Sequence, residues 1–186
     1  MKLKPNQAWH FIHRDENGID RLRDGSEAPP DGVWLEYSGP LVMCKSGLHF
    51  SRHPFDALNY APGETLCWVE VGGTIIEGGD KGVCSRRKII ARKDATEGLR
   101  YFARMMALST LHMYPGEPED CVLDWLVGGD PAARSATRPA ARSAAGSAAR
   151  SAARSAARSA AWYAARSAAW SAARQQWADL VAEAFE

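Results

Sequence analysis

The sequence predicts an α+β protein: a small, mainly-β N-terminal domain followed by helices and closed by a long alanine-rich helix. Three observations carry this. Short apolar runs, punctuated by Gly, Pro and Asp clusters, fill the first ninety or so residues. A capping sequence and two apolar helical periods follow. From Asp130 to Gln175 the phrase A-A-R-S then repeats about ten times. The expected divisions are 1–93 for the α+β domain, 94–130 for a helical connector and 131–186 for the repeat region.

The runs AWHFI (8–12), VWLEY (33–37), PLVMC (40–44), TLCWVEV (65–71), TII (74–76) and VCSRRKIIA (83–91) have the length and residue types of strands. DENG, EAPPDG, APGE and EGGDKG between them are turn clusters. Pro54 suits a first helical position and opens a short helix over 54–60.

Asp94-Ala-Thr-Glu97 reads as a capping box, starting a helix able to run to about Tyr114. Leu99, Phe102, Met105, Met106, Leu108 and Leu111 give it a broad apolar side. A second helix, about 119–127, presents Val122, Leu123, Trp125 and Leu126, and Gly128-Gly129 closes it. Asp130-Pro131 opens the repeat helix as cap and first residue. Pro139 or Gly146 is where it would kink. Unbroken from 140 to 184, it would be about 65–70 Å long at 1.5 Å per residue.

The net charge of +1 hides an asymmetry. Residues 1–130 hold 15 Lys and Arg against 19 Asp and Glu, whereas 131–186 hold 8 Arg against 3 acids. The tail therefore attracts either the first half or another anion. Successive Arg slots, four residues apart, lie about 40° on from one another around a helix, so the cationic stripe winds and no straight heptad seam exists. Near the end, Trp162, Tyr163, Trp170, Trp177, Leu180, Val181 and Phe185 share one apolar face. That face either docks on the N-terminal domain or forms a dimer or partner interface. Arg150, Arg154, Arg158, Trp162, Arg166, Trp170, Arg174 and Trp177 are the expected partner-binding residues.

Little in the chain suggests catalysis. Cys44, Cys67, Cys84 and Cys121 are scattered without a C-x-x-C pair and read as reduced thiols. The start lacks the apolar run of a secretion signal, and no apolar stretch reaches the roughly 18 residues of a membrane span, so a cytoplasmic protein is expected. Cys44, His49 and His53 follow no zinc spacing, and His49 reads better as a buried imidazole bonded to backbone. Neither Gly72-Gly73 nor Gly78-Gly79 has the strand–loop–helix setting of a phosphate loop. No metal and no cofactor is expected. Arg86-Arg87-Lys88 puts Arg86 and Lys88 on one strand face and Arg87 on the other. The run could hold an anion or a nucleotide phosphate, or be a solvated edge. His10, His49, Ser51, Tyr60, Arg86 and Lys88 are the residues a ligand pocket would draw on.

The most specific phrase comprises Cys44, Gly47, His49, Ser51, Pro54, Asp56, Leu58 and Tyr60, then Glu70, Asp80 and Lys81. It resembles an uncharacterised domain family of bacteria and their phages with the pattern C-x-x-G-[FLY]-H-x-[SC]…P-x-D-x-L-x-Y, whose members continue into alanine-rich helices. The resemblance covers about residues 5–93 and implies a fold but no mechanism. His10, the G-x-x-F-S turn and Tyr60 are similar in order to parts of the ADP-ribosyltransferases, which implies a His and a Tyr framing a nicotinamide ribose. The catalytic Glu of that family has no clear counterpart, Glu77 and Asp80 being nearest. The stretch from Leu99 to Leu126 resembles the helical immunity proteins encoded beside bacterial toxins.

Together these point to a non-enzymatic binding or inhibitor protein of phage or mobile-element type, acting in a host cytoplasm by capturing a protein or a small nucleotide. Assembly through the C-terminal helix fits the same reading. The alternatives are an ADP-ribosyltransferase-like enzyme, or sequence-independent nucleic-acid binding through the Arg repeat.

Overall fold

The computed structural model describes residues 4–111, 120–129 and 159–185. The described strands are β1 (Gln7–Arg14), β2 (Asp20–Arg21), β3 (Trp34–Glu36), β4 (Leu48–Phe50), β5 (Thr65–Glu77) and β6 (Gly82–Asp94). The helices are α1 (Pro54–Leu58), α2 (Thr96–Thr110), α3 (Asp120–Gly128) and α4 (Ser159–Ala184). The chain divides into two compact units. One is Met1–Leu99 together with Gln176–Glu186; the other is Arg100–Gln175.

The first unit is an antiparallel half-barrel of order β2-β1-β5-β6-β3, with β4 also paired to β6. One end of its open side is bridged where Trp9 and Ser51 exchange backbone hydrogen bonds of 2.8 and 2.9 Å, linking β1 to the end of β4. The inner face is the core of Ala8, Ile12, Leu22, Ala28, Phe50, Cys67, Val69, Val71, Cys84 and Ile89. Alternation along β1 sends Trp9 and Phe11 to the opposite face, and Phe11 is register partner of Leu66. There Trp9 meets the Phe185 ring edge-on, with centroids 5.3 Å apart. Trp177 and Val181, from the last turns of α4, are 1 % and 3 % exposed. Trp177 lies within van der Waals reach of Gly98.

Two expectations are corrected by backbone geometry. PLVMC is not a strand: Val42 bridges Ser46 alone, and the chain turns through Cys44 at φ 66°. The runs TLCWVEV and TII are one strand, β5, because Gly72-Gly73 makes a bulge inside it instead of ending it. The helix at 94 begins as expected, but its cap sits one residue differently. Asp94 still belongs to β6 and accepts from the Thr96 N–H at 2.8 Å.

In the second unit, α2 ends at Thr110 and α3 closes at Gly129 (φ 75°), whose N–H donates to the Trp125 carbonyl at 2.9 Å. Leu126 is buried, and a Cβ at Gly129 would collide with the Arg104 guanidinium. Repeat positions up to Arg158, with the expected kinks at Pro139 and Gly146, lie outside the described residues. Among the described residues no helix is long and apolar enough to cross a membrane.

Candidate functional site

The half-barrel carries a cleft of about 720 Å³ over its open side. Four of the residues singled out from the sequence line it: His10 from β1, His49 from β4, Ser51 just after β4 and Tyr60 just after α1. The other two do not. Arg86 pairs with Glu36 at 3.0 Å, Lys88 pairs with Glu70 at 2.8 Å, and both lie over the Trp34 ring. Alternation along β6 turns Arg87 inward instead, and Arg87 lines the cleft.

Arg87 is 5 % exposed. It donates to the backbone carbonyl of His49. Among the described residues no carboxylate forms an ion pair with it, and its titratable neighbours are the buried thiols Cys84 and Cys67. Burial accordingly pulls its pKa down from the usual guanidinium range. Four cationic side chains line the cleft (Arg23, Lys45, Lys81 and Arg87) against the single carboxylate of Asp24. That carboxylate is engaged by Ser26, whose N–H and hydroxyl donate to it at 3.0 and 2.6 Å. A positive cleft thus sits in a half of the chain that is acidic as a whole.

The two imidazoles behave differently. His49 accepts the Cys44 N–H on Nε2 at 3.0 Å, an arrangement that fixes its tautomer with Nε2 unprotonated. Burial lowers its pKa, opposed by a backbone hydrogen bond with Gly47. The pKa of His10 is held well below the ordinary value, first by burial and then by the charges of Arg87, His49 and Arg23. Gly47 is what lets β4 start here. Its φ is +101°, and a Cβ would come within 2.5 Å of Val83 and 2.6 Å of Leu41. Across β4 the Phe50 ring lies flat on Gly82, where a Cβ would stand 2.3 Å from it.

At the other end, Tyr60 donates to Asp80 and carries the Lys81 ammonium over its ring at 4.1 Å. Lys81 also hydrogen-bonds the exposed Cys44 thiol, and these partners raise its pKa. Glu77 is paired with Arg52 away from the cleft lining, at 2.5 Å. His53, instead of facing a metal, caps α1 by accepting the Phe55 N–H on Nδ1 at 3.2 Å. Among the described residues no three His, Cys, Asp or Glu side chains gather where a metal could sit.

Residues 30–100 match the model of a family described as Domain of unknown function (DUF7666). The match spans β3 to the start of α2, and so includes β4, α1, β5 and β6 with the inward Arg87. No curated protein and no solved structure matches the chain.

Of the residues expected to bind a partner, Trp170 is half exposed and Arg174 partly so, whereas Trp177 is a core residue. Its burial removes it from any surface a partner could reach. Trp162 and Arg166 lie on α4 with their side-chain surroundings undescribed, and Arg150, Arg154 and Arg158 lie outside the described residues. The residue missed by sequence reasoning is Arg87. The signal was present, since alternation separated it from its neighbours, but parity alone does not say which face is inner.

Proposed function

We propose that the chain is a non-enzymatic binding protein of phage or mobile-element type whose N-terminal domain captures and sequesters a small anionic ligand of nucleotide size. The observation that carries this reading is Arg87: a buried guanidinium on the cleft wall without a carboxylate partner among the described residues. A buried charge left uncompensated costs several kcal/mol, so the site is complementary to an anion that arrives from outside. A volume of about 720 Å³ falls in the range of small-molecule sites. Tyr37 and Tyr60 on the wall supply flat apolar surface for the body of such a ligand.

The test is to denature the purified chain, identify the small molecules released by mass, and titrate them back. An anionic compound that binds wild type and is lost in Arg87→Met supports the reading. A ligand whose binding ignores Arg87 sinks it. Release of nicotinamide from NAD, abolished by His10→Ala, would replace capture by transferase chemistry, since His10 and Tyr60 share the cleft.

A second reading, capture of a protein partner through the C-terminal helix, rests on Trp170, which is 51 % exposed. Loss of a co-purifying partner in Trp170→Ala, with the fold intact, would favour it.

A further inference from the structure

We propose that the inner end of the cleft is a seat for a phosphate monoester dianion, with Arg87 as the fixed positive charge and His10 taking up a proton as the ligand lands. This rests on the anion-capture reading above and goes beyond it by naming the chemical class.

The argument is one of charge balance. Arg87 alone would be neutralised by a single negative charge, such as a carboxylate or a phosphodiester. The seat holds more than Arg87. His10 projects from β1 into the same region, where Arg87, His49 and Arg23 all oppose a positive charge on it. No hydrogen bond occupies either His10 ring nitrogen among the described residues, so neither is committed within the protein. His49 cannot answer in the same way, because Nε2 already accepts the Cys44 N–H and protonation there would break that bond. A dianion brings the second negative charge that makes an imidazolium beside Arg87 favourable, and it gains an N–H donor by doing so.

Of the remaining charges, Arg23, which also bears on His10, and Asp24 come from the segment after β2 and are exposed at the rim, where solvent screens them, and Asp24 is engaged by Ser26. Lys45 and Cys44 are exposed on the turn before β4. Lys81 and Tyr60 hold one another at the far end, where Lys81 acts on His49 but is not among the charges felt by His10. Tyr37, also on the wall, contributes a phenol ring. Only His10 combines an uncommitted ring with proximity to Arg87. The Arg fork adds geometry to charge, since its planar donors match two phosphoryl oxygens at once.

The experiment is titration calorimetry on the full chain at pH 7.5, in two buffers of different ionisation enthalpy, so that protons taken up are counted with the heat. The probes are inorganic phosphate, adenosine 5′-monophosphate, and its 3′,5′-cyclic diester, which keeps the base but carries one charge fewer. The monophosphate is expected to bind at least about tenfold more tightly than the cyclic diester, with uptake of about one proton. His10→Gln should keep weaker binding and bring uptake close to zero. Arg87→Lys, which preserves the charge but loses the fork, should weaken the monophosphate by about tenfold or more. Inorganic phosphate binding as tightly as the monophosphate would assign the free ion as the source of the same chemistry, and weaker binding would assign the ester.

Equal affinity for monophosphate and cyclic diester overturns the inference, as does proton uptake that is absent or unchanged in His10→Gln. The capture reading survives either result so long as the Arg87 variants weaken every anion. Indifference to Arg87→Lys and Arg87→Met alike, or no binding by any of the three probes, overturns both.

Discussion

Arg87→Met is the most informative single change, because it should make the empty protein more stable and disable it at once. On the cleft wall Arg87 is 5 % exposed, and among the described residues its hydrogen bond goes to the His49 carbonyl. Burying a charge costs several kcal/mol after relaxation, and a charge-assisted hydrogen bond returns about 1.5–3 kcal/mol. A deficit of about 1–2 kcal/mol remains, and Met, unbranched, shorter and without charge, removes it. Urea unfolding in phosphate-free buffer should therefore show the variant about 1–2 kcal/mol more stable. In a domain of this size that corresponds to a rise in Tm of roughly 4–8 °C per kcal/mol. Adding ligand at about one hundred times its Kd should stabilise wild type by about 2.7 kcal/mol and leave the variant unmoved. Destabilisation of Arg87→Met by more than about 1 kcal/mol would mean that the protein already compensates the charge, and the reasoning would fail.

Other expectations follow from the same geometry. Trp177→Ala, at a position 1 % exposed, should cost about 3–5 kcal/mol, whereas Trp170→Ala, at 51 %, should stay within about 0.5 kcal/mol; denaturant midpoints compare them directly. The unfolded chain protonates His10 and His49 near their ordinary value of 6.5 while the folded chain resists. Stability of the empty protein should thus be fully present above that pH and fall as pH drops below it, and His10→Gln should flatten the slope of a pH-dependent melt. Alkylation followed by peptide mass mapping should label the exposed Cys44 first. Cys67, whose pKa burial pushes up to about 12, and Cys84, also raised by burial, should react only on unfolding. Gly47→Ala should destabilise the domain and weaken ligand binding together, because the strained backbone and the contacts with Val83 and Leu41 displace β4 and with it His49.

Much of the sheet was legible because strand length, β-branched residues and turn clusters agreed along β1, β3, β5 and β6. PLVMC misled because its apolar residues serve a tight turn, and composition does not distinguish a turn that packs from a strand that pairs. Gly72-Gly73 looked like a terminator, yet a bulge inside a long hairpin uses the same residues. His10, His49, Ser51 and Tyr60 were marked from motif order, and the curvature of the sheet gathers them on one cleft. Arg86 and Lys88 were marked for their charge. Their neighbour faces inward because Val71, its register partner, lies on the core face of β5. Which parity class is buried depends on the whole sheet, and no local window holds that information. The tryptophan face of the tail was visible as an arc, but only packing separates Trp177, which is enclosed, from Trp170, which is not.

The placement of Trp177, Val181 and Phe185 within the same compact unit as β1 bears on how the protein is made. The half-barrel strands leave the ribosome first, and the residues that cover Trp9 follow them by some ninety positions. Until those residues emerge, the nascent chain carries a greasy unshielded sheet face, so the half-barrel is sealed only once Trp177 to Phe185 have been made. Ribosome-stalled fragments ending before Gln176 should accordingly engage holdase chaperones that chains extending through Phe185 ignore.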